Sequence, residues 1–162
     1  MSKEAHIAEA LIEAGKRIAV AESTTGGYIG HLLNNVPGSS KYFIGGVVAY
    51  SNQPKMHVLK VPEHVLKEAG SVSAQTALAM AQGVRALMQA DIGVAETGIA
   101  GPSHGSAEKP VGTVFMAIST KDGYELVERS VWNTDRIGFK EKTADAVFSL
   151  IEHYLSRKLP SP

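Results

Sequence analysis

The sequence predicts an α/β protein: a three-layer α/β/α sandwich around a mixed, mostly parallel sheet, with a C-terminal antiparallel hairpin. Short apolar runs alternate with segments of helical periodicity in the first part of the chain, which is the pattern of parallel crossovers. Two later apolar runs flank Asp122-Gly123, a hairpin turn signal. Hydrophobic residues make up 44% of the 162 residues, which suits one domain over 1–162 with its core at about 5–157.

The first elements alternate between helix and strand. Ile7 and Leu11 recur at helical spacing before Gly15, a typical helix stop. Pro37-Gly38 marks a turn between the next helical segment and a second apolar run. We therefore predict a helix over 3–15, a strand over 17–22, a helix over 26–35, a turn over 36–40 and a strand over 44–51.

The remaining elements begin with three consecutive helices. Asn52 is a good N-cap and Pro54 suits a first helical turn, while Ser73 caps the clearest amphipathic segment. The apolar runs that follow favour strands, and the tail over 159–162 is expected to fray. We predict helices over 52–59, 62–70, 74–89 and 136–157, and strands over 91–97, 111–120 and 124–132.

Composition and charge narrow the class of protein. Lys plus Arg number 16 and Asp plus Glu number 16, so no basic footprint for nucleic acid or a membrane surface is expected. With no cysteine, disulfides, thiolate zinc sites and cysteine nucleophiles are excluded. The chain carries no secretory signal pattern and no membrane-spanning stretch, so we expect a cytoplasmic protein. Its near-neutral surface favours a homo-oligomer. We expect no metal and no cofactor.

Polar clusters follow three of the predicted strands, and they are the main indication of an active site. These clusters are Ser23–Gly27, Tyr50–Asn52 and Thr97-Gly98. In open sheets with parallel crossovers, ligands bind beyond the carboxyl ends of the strands, so the clusters should meet. Ser23 stands at a strand-to-helix turn, where a serine is a nucleophile, an anion-binding hydroxyl or a helix cap.

A serine nucleophile needs a base, and lysine is the better candidate here. The six histidines come without an obvious orienting acid. Lys55 follows the second strand in the first turn of a predicted helix, where the helix dipole lowers the pKa of a cation. Tyr50, at the end of the same strand, is positioned to orient or relay protons. The alternative is that Lys55 is a solvated surface lysine.

The loop from Gly98 to Pro110 is rich in glycine and too long for a simple connector. Its backbone N–H groups suit an oxyanion hole or a phosphate cradle, and the alternative is a flexible connector. The loop matches neither a P-loop nor a dinucleotide fingerprint. Arg136, near the start of the last helix, is a candidate phosphate ligand or a surface arginine.

Six ordered blocks together resemble the CinA carboxy-terminal domain family, from about residue 5 to 155. The chain looks like the stand-alone form, without the amino-terminal molybdopterin-binding-like domain of fused members. The blocks are Ala21-Glu22-Ser23-x-Thr25-Gly26-Gly27, Val36-Pro37-Gly38-Ser39-Ser40, Gly46-Val47-Val48-Ala49-Tyr50-Ser51-Asn52-x-x-Lys55, Gly70-x-Val72-Ser73, Thr97-Gly98-Ile99-Ala100-Gly101-Pro102 and Glu108-Lys109-Pro110-Val111-Gly112-Thr113.

The resemblance implies a nicotinamide-nucleotide amidohydrolase. Such enzymes convert nicotinamide mononucleotide and water to nicotinate mononucleotide and ammonia, without metal or organic cofactor, in pyridine nucleotide recycling. The family's proposed nucleophile matches Ser23, its lysine base matches Lys55, and Tyr50 lies in the same motif as a helper. The residues expected to bind a small nucleotide substrate are Thr25, Gly26, Gly27, Ser39, Thr97, Gly98, Gly101, Lys109 and Arg136.

The chain departs from the family pattern at three positions. Thr24 stands where the family often has cysteine. The last helix of the family usually carries a second basic residue after Asp-Arg, and here Lys140 takes that place, without the bidentate fork. Glu96 stands where a small or apolar residue is common, and an acid there would repel a phosphate or pair with a lysine. Two alternatives therefore stay open: a nucleotide-binding domain without catalysis, associated with competence or DNA damage, and a hydrolase of another small amide.

Overall fold

A computed structural model of the protein describes residues 1–157, in which six α-helices and five strands follow the predicted order. A short 3-10 helix (Ser39–Lys41) overlaps the end of the predicted turn over 36–40, and the predicted frayed tail over 159–162 lies outside the described residues. The helices are α1 (Lys3–Ala14), α2 (Tyr28–Asn34), α3 (Asn52–His57), α4 (Glu63–Glu68), α5 (Ala74–Met88) and α6 (Arg136–Leu155). The strands are β1 (Ile18–Glu22), β2 (Phe43–Val48), β3 (Ile92–Gly98), β4 (Thr113–Thr120) and β5 (Glu125–Val131).

The five strands form one mixed sheet in the order β2-β1-β3-β4-β5. The central strand β1 pairs in parallel with β2 and β3, whereas β4 runs antiparallel to both β3 and β5. Only β4 is therefore reversed, and the other strands of the sheet share one direction. Because β1, β2 and β3 are parallel, their carboxyl ends lie at the same edge of the sheet.

Helices cover both faces of the sheet, which confirms the predicted three-layer sandwich. Side chains of β1 alternate between the layers: Ile18 and Val20 pack in the core with α1, α2 and α6, and Ala19 and Ala21 pack in the core with α5. The α5 face is built from small residues. A Cβ atom on Gly93 would lie 2.2 Å from the Ala81 carbonyl oxygen, so glycine is needed for this close approach.

Side-chain caps set where two of the longer helices begin. Ser73 accepts a hydrogen bond from the backbone N–H of Thr76 at the start of α5, and Asp135 accepts one from Gly138 at the start of α6. These caps fix the first turns of helices that lie next to the carboxyl edge of the sheet. None of the helices within residues 1–157 combines the length and apolar character that a membrane span requires.

Candidate active site

Residues from all three polar clusters predicted at the strand ends line one cleft of about 640 Å³. The turn after β1, the segment between β2 and α3, and the end of β3 form its floor, as expected for an open sheet with parallel crossovers. The glycine-rich loop between β3 and β4 and the start of α6 form its walls. The predicted site residues that line it are Ser23, Tyr50, Lys55, Thr97, Gly98, Gly101, Lys109 and Arg136.

Ser23 and Lys55 form a direct hydrogen-bonded pair at the bottom of the cleft. The Nζ atom of Lys55 lies 3.0 Å from Oγ of Ser23, although the two residues are 32 positions apart in the sequence. Lys55 also donates to the carbonyl oxygens of Ala49, at 2.8 Å, and of Tyr50, at 3.4 Å. Carbonyl oxygens only accept, so these two bonds hold the amine in place whether it is neutral or charged.

Lys55 is buried, with only 2% of its surface exposed. The alternative of a solvated surface lysine is therefore wrong. Burial lowers the pKa of Lys55, and the charge of Glu96, when that side chain is ionised, has a smaller effect that raises it. The shift has the direction predicted from the helix dipole, but its dominant cause is burial. A buried amine that sheds its proton more readily than an ordinary lysine is suited to act as a base near neutral pH.

The turn after β1 is held by Glu96, whose side chain is completely buried. Its Oε1 atom accepts hydrogen bonds from the backbone N–H groups of Ser23, at 2.6 Å, and Thr25, at 2.9 Å. The N–H of Thr25 is thus engaged and does not face the cleft as a free donor. The N–H of Thr24 donates to no acceptor within residues 1–157, and its hydroxyl donates to the Gly98 carbonyl at 2.9 Å.

A second buried carboxyl, that of Glu22 at the end of β1, organises the start of α2. It accepts from the backbone N–H groups of Gly27, Ile29 and Gly30, at 2.8–3.2 Å. These N–H groups belong to the first turn of the helix and have no acceptor within the helix. A carboxylate there satisfies them and complements the helix dipole.

Thr25, Gly26 and Gly27 lie outside the cleft that contains Ser23. They line a separate, smaller cleft between the starts of α2 and α6. Gly26 and Gly27 have φ angles of +60° and +107°, a conformation that L side chains rarely adopt. Their contribution beside Ser23 is to shape the turn that presents it, and the structure does not bring these three residues together with the other predicted site residues.

Ser39 also lies away from the cleft. It belongs to the short 3-10 helix before β2, where its hydroxyl donates to Asn34. Because β2 runs parallel to β1, a residue before β2 lies at the amino edge of the sheet, while Ser23 follows the carboxyl end of β1. The structure therefore does not bring Ser39 together with the other predicted site residues, and its contact with substrate stays a prediction.

The remaining predicted residues of the cleft differ in how firmly they are held. Tyr50 lines the cleft and is 64% exposed. The hydroxyl of Thr97 donates to the Ser71 carbonyl at 2.7 Å, and Arg136 donates to the Gly101 carbonyl at 2.9 Å. Arg136 thus joins the start of α6 to the glycine-rich loop and keeps a guanidinium at the cleft wall.

Lys109 anchors the glycine-rich loop to the other side of the cleft. Its ammonium donates to the carbonyl oxygens of Ala69, at 3.1 Å, and Val72, at 2.6 Å, in the segment between α4 and α5. It also lies 5.9 Å from the ring centroid of Phe115, whose other cationic neighbour is Arg129. These contacts fix the end of the loop next to β4, whereas a flexible connector would lack such contacts.

We expect Lys109→Ala to lower the free energy of unfolding by about 1–3 kcal/mol, because two hydrogen bonds from a charged donor are lost. Urea denaturation measures this change, and hydrogen exchange of the loop amides should become faster. The control is Lys121→Ala, which removes an exposed lysine in the β4–β5 turn and should leave both measurements unchanged. Equal stability of the Lys109 and Lys121 variants would contradict the anchoring role.

Sequence reasoning missed the parts played by Glu22 and Glu96 and did not single out several cleft residues. A carboxylate at the end of an apolar strand was the available signal for both acids, since a buried charge needs specific partners. His104 lines the cleft, but no histidine of the described chain bonds Ser23. The other lining residues without a predicted role are Thr24, Asn52, Gly70, Ser71, Val72, Ile99, Ala100, Pro102, Ser103 and Ser106.

The fold and the site define an α/β protein with a buried serine–lysine pair at the carboxyl ends of its parallel strands. The chain belongs to the CinA C-terminal domain family, whose profile matches residues 1–155. This membership confirms the resemblance that the six sequence blocks indicated.

Individual relatives agree with this assignment. A CinA-like protein of Geotalea uraniireducens is 46% identical over 130 residues, which are 80% of this chain and 31% of that protein. The crystal structure of the competence/damage inducible protein CihA from Agrobacterium tumefaciens has 34% identity and a TM-score of 0.89, covering 97% of this chain and 98% of that chain. A CinA superfamily protein from Klebsiella pneumoniae has 29% identity and a TM-score of 0.91, covering 95% and 96%. The chain spans about a third of the length of the curated relatives it matches.

Proposed function

We propose that this chain is an amidohydrolase that converts nicotinamide mononucleotide and water to nicotinate mononucleotide and ammonia by a serine–lysine mechanism. The observation that carries the proposal is the 3.0 Å contact between Lys55 Nζ and Ser23 Oγ, two buried groups at the bottom of a cleft. Membership of the CinA C-terminal domain family supports the same reaction, because the family's proposed nucleophile and base match these two residues.

The hydrogen bonds of Lys55 support its role as the base. A neutral amine has two N–H donors and one lone pair, and Lys55 has two carbonyl acceptors and one hydroxyl partner. With the carbonyls of Ala49 and Tyr50 taking the two donors, the lone pair faces the hydroxyl of Ser23. The proton of Ser23 then moves to Lys55 as the oxygen attacks, and the lysine keeps its position.

The reaction proceeds through an acyl-enzyme. Ser23 Oγ attacks the carboxamide carbon, the C=O electrons move to oxygen, and a tetrahedral intermediate forms. The free N–H of Thr24 is the backbone donor next to the nucleophile, which is the usual position for stabilising such an oxyanion. The C–N bond breaks as Lys55 returns a proton to the leaving nitrogen, releasing ammonia. Water, activated by Lys55, then hydrolyses the ester of Ser23.

The charge of the cleft supports an anionic substrate. Besides Lys55, the lining includes the cationic side chains of Lys109 and Arg136, and no carboxylate side chain occurs among its described residues. Arg136 is the cation placed at the wall next to the glycine-rich loop, and a guanidinium is well suited to a phosphate. We therefore assign the phosphoribosyl group to the side of the cleft formed by this loop and α6.

An ammonia-release assay tests the proposal on three amides that differ in size and charge. We expect release from nicotinamide mononucleotide, with kcat/KM about tenfold or more above that for nicotinamide riboside, which lacks the phosphate, and above that for nicotinamide. Comparable rates for all three would indicate a hydrolase of another small amide. If none releases ammonia while the mononucleotide still binds, the chain is a nucleotide-binding domain without this chemistry.

A further inference from the structure

Two buried carboxyl groups meet at one hydroxyl directly behind the nucleophile. Oγ1 of Thr25 lies 2.6 Å from Oε1 of Glu22 and 2.8 Å from Oε1 of Glu96. The two glutamates are only 2% and 0% exposed. A threonine hydroxyl has one proton, so it can donate to only one of two ionised carboxylates. The other short oxygen–oxygen contact needs a second proton, which one of the two carboxyl groups must supply.

The hydrogen-bond partners indicate which carboxyl group holds that proton. Glu22 accepts three backbone N–H bonds at the start of α2, shared over both of its oxygens, and these stabilise an ionised carboxylate. Glu96 accepts on Oε1 alone, and its Oε2 is a buried atom without a hydrogen-bond partner in the described chain. An ionised oxygen left unpartnered in the interior is costly, so neutrality suits Glu96 better. The proton then lies on Oε1 of Glu96 and is donated to Oγ1 of Thr25, the Thr25 hydroxyl donates to Glu22, and Oε2 is left as an uncharged carbonyl oxygen.

The electrostatics agree with this assignment. Burial raises the pKa of Glu96, and the charge of Glu22 acts in the same direction, while the N–H and hydroxyl donors of Ser23 and Thr25 oppose it. The cross-strand neighbour of Glu96 on β4 is Met116, which is uncharged. On the outer side of the turn, Lys140 of α6 comes near Gly26.

We infer that Glu96 is a positioning residue of the proposed reaction, acting as a neutral carboxylic acid that holds the Ser23–Thr25 turn without placing a negative charge beside Lys55. The inference rests on the proposed function for its catalytic meaning. It extends that function because Glu96 touches neither Lys55 nor the cleft: it acts through the backbone of the nucleophile.

The neutrality of Glu96 matters because of Lys55. An ionised Glu96 raises the pKa of Lys55, so it favours the protonated lysine, which cannot accept the proton of Ser23. A neutral Glu96 keeps the two backbone hydrogen bonds to the turn and leaves the amine free to lose its proton. Glu96 also accepts the hydrogen bonds of the Ser23 and Thr25 N–H groups. Of the three N–H groups of this turn, only that of Thr24 can therefore donate to an oxyanion.

The test compares Glu96→Gln, which keeps an acceptor but never ionises, with Glu96→Leu, which has a similar size and no acceptor. Three measurements apply: the infrared C=O stretch of a protonated carboxyl, the NMR titration of 15N-labelled Lys55 assigned with Lys55→Met, and the pH profile of kcat/KM. In Glu96→Gln we expect the infrared band to disappear, the Lys55 titration and the acidic limb of the profile to stay unchanged, and kcat/KM to remain within about tenfold of the unsubstituted protein.

In Glu96→Leu we expect kcat to fall about 10²-fold or more with little change in KM, because the turn loses the acceptor that aligns Ser23. The inference is overturned if the unsubstituted protein lacks the infrared band, if Lys55 titrates at a lower pH in Glu96→Gln, or if Glu96→Leu keeps full kcat. The infrared and NMR readouts need no turnover and remain available if Glu96→Leu does not fold. Failure of the protein to hydrolyse any amide would therefore reject the proposed function separately from the protonation of Glu96.

Discussion

Replacing Ser23 with alanine is expected to reduce kcat for ammonia release from nicotinamide mononucleotide by about 10³-fold or more. The substitution removes the only group that the proposed mechanism uses to form the acyl-enzyme, and no histidine of the described chain bonds this position to replace it. The change deletes one oxygen atom at a position that is 5% exposed, so the fold should be retained. Single-turnover kinetics measures the loss, and calorimetry should find nicotinamide mononucleotide bound within a few-fold of the normal affinity.

The matched control is Ser39→Ala, which removes the same hydroxyl at the opposite edge of the sheet. This variant should hydrolyse the mononucleotide at the normal rate. A Ser23→Ala protein that keeps its rate would reject Ser23 as nucleophile, and a Ser39→Ala protein that loses its rate would reject the proposed position of the site in the cleft around Ser23.

Replacing Lys55 with methionine is expected to have the second large effect, a loss of about 10³-fold or more in kcat at neutral pH. Methionine keeps much of the volume of the buried side chain but has no lone pair to accept the proton of Ser23. The carbonyl oxygens of Ala49 and Tyr50 lose a donor at the same time. The assay is again single-turnover ammonia release, with the exposed Lys41→Met as control.

The same substitution should change how stability depends on pH. Burial lowers the pKa of Lys55 in the folded state, so the unfolded chain binds more protons between the folded and unfolded pKa values of this lysine. Stability of the unsubstituted protein therefore rises with pH across that window, and the cost of burying the amine is fully present below it. Lys55→Met lacks this contribution, so its stability relative to the unsubstituted protein should be greatest below the window and smaller above it. A difference that grows with rising pH would show that the pKa of Lys55 is not lowered.

The order and type of the elements were predictable because they depend on local patterns. An apolar run or an amphipathic segment can be recognised within a stretch of 5 to 20 residues. The observed strands and helices have lengths in this range. The boundaries differ by a few residues: β2 ends at Val48, before the predicted end at 51. The meeting of Ser23 with Lys55 also follows from the chain, because two parallel strands that end at one edge bring their following residues together.

Residues predicted for the site because they lie in a family block or beside the nucleophile are the ones that lie away from the cleft. Ser39 is in such a block but precedes its strand, so it stands at the opposite edge of the sheet. Gly26 and Gly27 follow Ser23 directly, yet the turn directs them into a neighbouring cleft. The predicted homo-oligomer and cytoplasmic location stay predictions.

By itself, the sequence determined the α/β class, the strand-end position of Ser23 and the choice of a lysine as its partner. Only the tertiary structure decided that Lys55 is buried, that Glu96 takes the N–H groups of Ser23 and Thr25, and that the N–H of Thr24 is left free. The physical reason is the sequence separation over which each interaction acts. Periodicity and capping act between near neighbours, whereas the contact between Glu96 and Ser23 joins residues 73 positions apart, through the register of two paired strands. Desolvation and hydrogen-bond partners at such contacts exist only after the sheet has formed.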